Sequence, residues 1–150
     1  MPARTPVAPR PVVPRHPIHA ALAPFPAVCF SLTLLTDVAY WQTGDLMWKT
    51  FSEWLLFAGL VTGALAALAG IVGMLRRRGG PGGGWMHGLG SLLVLALAFV
   101  NSLLHAGDGW SDVVPWGVVL SAVTVALVVV TAWMGRAALY REIAAVQAHV

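Results

Sequence analysis

Four long apolar runs dominate the chain, at residues 18–36, 55–75, 85–104 and 113–134. None of these runs contains Asp, Glu, Lys or Arg. A helix needs about 20 residues to cross a hydrocarbon core of roughly 30 Å, so each run is long enough to span a membrane. The pattern therefore predicts four transmembrane helices, at approximately 18–40, 51–75, 85–105 and 113–135.

The first run is preceded by a segment that offers almost nothing to pack. Residues 1–15 contain five prolines and three arginines, a composition typical of a disordered tail. The run itself is longer than the apolar part of a signal peptide, carries Pro24 and Pro26, and is followed by no small-x-small cleavage pattern. We interpret residues 16–146 as one membrane domain, with tails at 1–15 and 147–150.

The composition excludes a soluble globular domain. Hydrophobic residues make up 58% of the 150 residues and charged residues only 10%, whereas soluble domains carry about 25% charged residues. The predicted fold class is all-α, an integral membrane four-helix bundle whose first partner is the lipid bilayer.

Basic residues indicate the orientation of the bundle, because Lys and Arg are retained on the cytoplasmic side. With four spans, both termini and the middle loop share a side, and Lys49 alone lies opposite. Both termini are therefore predicted to be cytoplasmic. This topology accounts for the pI of about 9.8. The sequence has no stripe of basic residues interleaved with aromatic ones, so we exclude nucleic-acid binding. The arginines concerned are Arg4, Arg10, Arg15, Arg76, Arg77, Arg78, Arg136 and Arg141.

Polar residues form a stripe along the first and third helices. At roughly 100° per residue, His19 and Asp37 fall on one face of the first helix, and His87 and His105 on one face of the third. Each pair is eighteen residues apart, a rise of roughly 27 Å. The two helices run in the same direction, so if they are neighbours, His19 meets His87 at the inner end and Asp37 meets His105 at the outer end.

Two interpretations apply to each of these pairs. His19 and His87 are candidate axial ligands of a b-type haem, since haem iron accepts imidazole ligands; the alternative is that both are solvated residues at the membrane surface. Asp37 and His105 are predicted to form a structural hydrogen bond; the alternative is that both are ordinary polar groups near a loop. Together with Asp108 and Asp112, Asp37 and His105 also offer the oxygen and nitrogen ligands that a divalent metal ion takes. The alternative is that Asp108 and Asp112 are ordinary solvated residues of a glycine-rich loop.

Small residues line one face of the second helix, where Gly59, Gly63, Ala67 and Gly70 follow at steps of four, four and three. Such a strip lets helices approach closely in lipid. We expect it to serve packing within the chain, and a homo-oligomer interface is the alternative.

Several motifs together resemble a known family. They are "HPIHAALAPFP" at the start of the first helix, Asp37 at its end, His87 at the start of the third helix, and "TAWMGRAALYRE" at the end of the fourth. Over residues 15–146 the chain resembles the bacterial membrane-protein family filed as domain of unknown function 2231. The resemblance implies a four-helix protein of the bacterial inner membrane and no particular reaction. The chain departs from the family where many members have histidines, at Ala23–Pro26 and at Glu142.

Three functions are consistent with these residues. The first is a haem-binding or quinone-linked electron-transfer subunit. The second is a non-catalytic anchor or assembly protein for a membrane or periplasmic partner, and the third is a small-solute channel or carrier that functions as an oligomer. No nucleophile triad, phosphate loop or pair of carboxylates predicts an enzyme acting on its own.

Overall fold

The computed structural model describes residues 21–75, 85–107 and 112–148. Its helices are α1 (Pro24–Thr43), α2 (Leu46–Leu75), α3 (Trp85–His105) and α4 (Val118–Ala148). A kinked segment, Asp112–Gly117, precedes α4, and Val114 within it has non-helical backbone angles, so the regular fourth helix begins later than the predicted residue 113. The predicted residues 18–20 of the first helix lie outside the described ranges. The all-helical prediction is confirmed for the residues that the structure describes.

Helix α1 begins and ends at residues that suit those positions. Pro24 and Pro26 lie in its first turn, where a missing backbone N–H costs no hydrogen bond. Gly44 ends it with φ of 69°, and its N–H donates to the Tyr40 carbonyl at 2.8 Å. Asp45 then caps α2 by accepting from the Met47 N–H at 2.9 Å. We call this end of the bundle the Gly44 end.

Two helices are longer than their apolar runs indicated. Helix α2 begins at Leu46 instead of residue 51, because Asp45 supplies a cap and the turn at Gly44 needs only two residues. Helix α4 continues to Ala148, past the predicted end near residue 135 and into the segment interpreted as a tail. Hydropathy marks the part of a helix that lies in lipid, whereas the backbone stays helical beyond it.

The four helices pack in a ring. Helix α1 packs against α2 and α4, and α3 packs against α2 and α4. Helices α1 and α3 therefore face each other diagonally and are not direct neighbours, whereas being neighbours was the condition attached to the predicted pairs. The apolar core between the four helices is built around Phe30, Leu56, Val94 and Ala98.

The distribution of polarity is that of a protein surrounded by lipid. Large apolar side chains point outward, as with Leu75 and Trp133, which are 72% and 74% exposed. Within the described ranges, three segments are long and apolar enough to cross a membrane: Leu46–Gly73, Met86–His105 and Val113–Ala137. Many of the buried side chains are polar, namely Thr33, Thr36, Asp37, Ser52, Asn101, His105, Ser121, Thr124 and Thr131.

Candidate functional site: a buried polar network across four helices

The structure brings Asp37 and His105 together inside the bundle. The Nε2 atom of His105 lies 2.8 Å from Oδ1 of Asp37, and both side chains are fully buried. The contact crosses the diagonal of the ring from α1 to α3. Side chains at matching depth can therefore meet across the bundle although their helices are not neighbours.

Two serines complete the surroundings of the Asp37 carboxylate. Ser52 on α2 donates to Oδ1 at 2.5 Å, and Ser121 on α4 donates to Oδ2 at 2.5 Å. Asn101 on α3 donates to the Ser121 hydroxyl at 2.7 Å. We call Asp37, Ser52, Asn101, His105 and Ser121 the polar network. It draws on all four helices, so a single carboxylate connects the whole ring.

The contacts of His105 fix how many protons the pair holds. Its Nδ1 lies 2.9 Å from the backbone carbonyl of Asn101, which can only accept, so Nδ1 carries a hydrogen. The Nε2 atom faces a carboxyl oxygen of Asp37, so one further proton lies between Nε2 and Oδ1. Whether it resides on His105 or on Asp37, the pair is neutral overall. A neutral pair avoids the large cost of an unpaired charge in an apolar interior.

One polar atom of the network has no hydrogen-bond partner among the described residues. The Oδ1 atom of Asn101 is buried and accepts no hydrogen bond there, while the Nδ2 atom of the same amide serves Ser121. Flipping the Asn101 amide would bring its oxygen next to the Ser121 hydroxyl oxygen. Because the Ser121 hydroxyl already donates its hydrogen to Asp37, the two oxygens would then face each other as acceptors. The observed orientation is therefore the better of the two.

The two serines escaped prediction from the sequence. Ser121 belongs to a helix whose β-branched sequence indicates only packing, yet it is the one serine in the run 113–134. Ser52 precedes the second apolar run and has the appearance of a surface residue. The sequence does place a polar residue near the same end of every helix. This pattern identifies Ser52 and Ser121 as partners of Asp37 only when the order of the helices in the ring is known.

The prediction for His19 and His87 is only partly addressed, since His19 lies outside the described residues. His87 is half-buried and turns toward α4, where its Nδ1 lies 3.2 Å from the Thr131 carbonyl. A Cβ atom at Gly135 would lie 3.2 Å from the same ring nitrogen. His87 thus packs against α4, one of the two helices beside its own.

The predicted glycine strip is partly inside the bundle. A Cβ atom on Gly59 would lie 2.5 Å from Phe30 of α1, and one on Gly63 would lie 2.5 Å from Leu95 of α3. Ala67 and Gly70, toward the far end of α2, are half-buried. The two buried glycines therefore serve close packing within the chain.

The candidate metal ligands do not gather in the described part of the structure. Asp108 and the side chain of Asp112 lie outside it, and among the described residues no three His, Cys, Asp or Glu side chains form a group that could hold a metal ion. Asp37 and His105 are occupied with each other and with the serines.

Comparison with known proteins gives one match. Residues 15–148 match the family described as "Predicted membrane protein (DUF2231)", in agreement with the resemblance of its motifs. No curated protein and no solved structure matches the chain. Since the match covers nearly the whole sequence, the chain belongs to this family of predicted membrane proteins, DUF2231.

Proposed function

We propose that the chain crosses a bacterial inner membrane four times, with both termini and the loop at residues 76–84 on the cytoplasmic side. Three spans follow from length and hydropathy, and α1 adds a helix of 20 residues that packs against two of the others. The arginines that lie beyond the four apolar runs support this orientation. The Gly44 end, and with it the polar network, then faces outward.

Reporter fusions test this topology. A fusion after Val150 should be active only as a cytoplasmic reporter, and a fusion near Asp108 only as a periplasmic one. The positive-inside rule is the physical reason, because translocating the arginine-rich segments is unfavourable. Periplasmic activity at both positions would contradict the assignment.

We further infer that the protein is a proton-exchanging membrane subunit of a quinone-linked electron-transfer complex. The observation that carries this proposal is the 2.8 Å contact between Nε2 of His105 and Oδ1 of Asp37 in a fully buried site. Ionisable groups inside membrane bundles are rare and commonly belong to proton pathways. Passing the shared proton on leaves the pair with a net charge of minus one, and a proton taken from a quinol would then restore the neutral pair.

Quinol chemistry needs such a group. Oxidation of a quinol to a quinone releases two electrons and two protons. The electrons pass to a metal redox centre, and the protons need acceptors close to the membrane surface. The polar network lies at the Gly44 end, beside the first turns of α2, and therefore at the depth where protons from a quinol headgroup leave the membrane.

His19 and His87 would hold a b-type haem near the opposite end of the bundle, because His87 is eighteen residues, roughly 27 Å along α3, from His105. Such a haem would carry electrons onward within the complex and would not take them directly from a quinol at the Gly44 end. One contact supports His87 as a ligand: its Nδ1 faces the Thr131 carbonyl, and ligating histidines commonly donate their second ring N–H to such a group. Reduced-minus-oxidised spectra of protein purified from haem-replete cells test this part. A colourless folded protein would overturn the haem assignment and assign the redox centre to a partner subunit.

Infrared difference spectroscopy tests the proton site directly. The purified protein in liposomes is loaded with a short-chain benzoquinone, and spectra of the oxidised and reduced quinone are subtracted in H₂O and in D₂O. The wild type should show deuterium-sensitive carboxyl and imidazole bands, because quinone reduction changes the hydrogen bonding of the Asp37–His105 pair. Asp37→Asn should remove these bands.

The matched control is Asp45→Asn, which alters an exposed aspartate at the same end of the bundle and keeps the oxygen that caps α2. Its difference spectrum should equal that of the wild type. Identical spectra for Asp37→Asn and the wild type would sink the proposed proton role.

A second candidate, the non-catalytic anchor, is favoured by another observation. The carboxyl group of Asp37 forms hydrogen bonds with residues of three different helices, which is an arrangement suited to fixing the bundle as a rigid scaffold. For an anchor, Asp37→Asn should reduce stability and the yield of a co-purifying partner, and quinone should produce no difference spectrum in any variant.

A further inference from the structure

A cleft separates the first turns of α2 from the end of α3. It has a volume of about 600 Å³, within the range of roughly 300–1,000 Å³ typical of small-molecule sites. The α2 residues that line it are spaced at i, i+3, i+4 and i+7, so they share one helical face. The lining residues are Leu46, Lys49, Thr50, Glu53, Ser102 and Ala106.

Two opposite charges stand side by side in this cleft. The Nζ atom of Lys49 lies 3.1 Å from Oε1 of Glu53 and donates to the Gly107 carbonyl at 2.9 Å. The Lys49 side chain is 15% exposed and the Glu53 side chain 39%. The ammonium group is thus held in place from both sides, and the carboxylate keeps an accessible surface.

The two hydroxyl groups of the cleft present acceptors. Thr50 donates its hydrogen to the Leu46 carbonyl at 3.1 Å, and Ser102 donates to the Phe99 carbonyl at 2.8 Å. Since each hydroxyl has a single hydrogen, both oxygens remain as acceptors. With the Glu53 carboxylate they make three acceptors, which matches the three N–H donors of a primary ammonium group.

Tryptophans on α2 indicate the position of the cleft along the membrane normal. Trp48 and Trp54 bracket the Lys49–Glu53 pair in sequence, and Trp54 is 67% exposed. Tryptophan is enriched at the level of lipid headgroups. The cleft therefore opens where headgroups lie, with exposed Leu46 at its edge.

We propose that this cleft binds the headgroup of phosphatidylethanolamine from the adjoining leaflet. The phosphate pairs with Lys49, and the ammonium donates to Glu53 and to the hydroxyl oxygens of Thr50 and Ser102. The acyl chains extend along the apolar surface beside Leu46. A zwitterion suits the cleft because it matches both charges, whereas an anionic headgroup meets the Glu53 carboxylate without a cation of its own.

The ammonium group sets the specificity. Phosphatidylcholine has the same charges, but its methylated ammonium has no N–H to donate, and phosphatidylglycerol has no ammonium. This inference does not depend on the proposed proton chemistry, since none of the groups concerned belongs to the polar network.

Native mass spectrometry tests the proposal. The purified full chain in mild detergent is mixed with equal amounts of the three lipids, all with the same acyl chains, and the bound lipid is counted. The wild type should retain phosphatidylethanolamine about tenfold better than either competitor, which is the effect of about one charge-assisted hydrogen bond. Equal retention of the three lipids would overturn the proposal.

Two variants and one control locate the site. Glu53→Gln should abolish the preference for phosphatidylethanolamine, and Ala106→Phe should fill the cleft and lower its retention while leaving both charges in place. Asp45→Asn changes an acidic residue at the same end outside the cleft and should retain the full preference. A preference that survives Glu53→Gln, or one that Asp45→Asn removes equally, would show that the lipid binds elsewhere.

Discussion

Replacing Asp37 by alanine is expected to lower the free energy of unfolding by about 3–5 kcal/mol, the usual cost of removing one partner from a buried charge pair. The Asp37 carboxyl group accepts hydrogen bonds from Ser52 and Ser121 and shares a third with His105. Alanine leaves both serine hydroxyls and the His105 ring without this partner in the bundle interior, where no water replaces it. Denaturant unfolding of the purified protein in a fixed detergent, followed by circular dichroism, measures the change.

Ser31→Ala provides the control for this prediction. The Ser31 side chain is exposed, and its hydroxyl donates to the Ala27 carbonyl of its own helix at 2.8 Å. Because no other helix is involved, the unfolding free energy should change by at most about 0.5 kcal/mol. Equal unfolding curves for Asp37→Ala and Ser31→Ala would show that the polar network does not stabilise the bundle.

Gly59→Ala is expected to cost about 1–3 kcal/mol of unfolding free energy through overpacking. The added methyl group would lie 2.5 Å from Cε1 of Phe30 and 3.1 Å from Cβ of Cys29. Phe30 is only 1% exposed and belongs to the apolar core, so its ring has little room to move. Helix α1 must shift away from α2 instead, and this shift also disturbs the bond between Ser52 and Asp37.

Alanine substitutions at two other glycines, measured in the same unfolding experiment, serve as comparisons for Gly59→Ala. Gly88→Ala meets no atom within 4 Å and should be neutral or stabilising by up to about 1 kcal/mol, because alanine favours the helix over glycine. Gly63→Ala meets the end of the Leu95 side chain, which can rotate, so its cost should be smaller than that of Gly59→Ala. A Gly59→Ala protein as stable as Gly88→Ala would contradict the packing between α1 and α2.

Residue spacing placed Asp37 and His105 at the same depth, since a regular helix fixes the depth of every side chain, but their predicted contact also required α1 and α3 to be neighbours. The eighteen-residue spacings put both residues near the same end of helices that run in the same direction. The geometry of the contact was not predictable, because depth says nothing about rotation or ring order. In the structure the pair spans a diagonal, and its remaining partners are serines of α2 and α4.

What the sequence by itself determined is the membrane character of the chain, its helices and its membership of a family. Lipid offers no hydrogen bonds, so long apolar runs must satisfy their backbone groups as helices, and this requirement acts on each segment separately. Tertiary structure alone decided the ring order, the roles of Ser52 and Ser121, and the cleft beside Lys49. These features depend on how helix surfaces fit together, and small residues such as Gly59 and Gly63 determine that fit by allowing close approach.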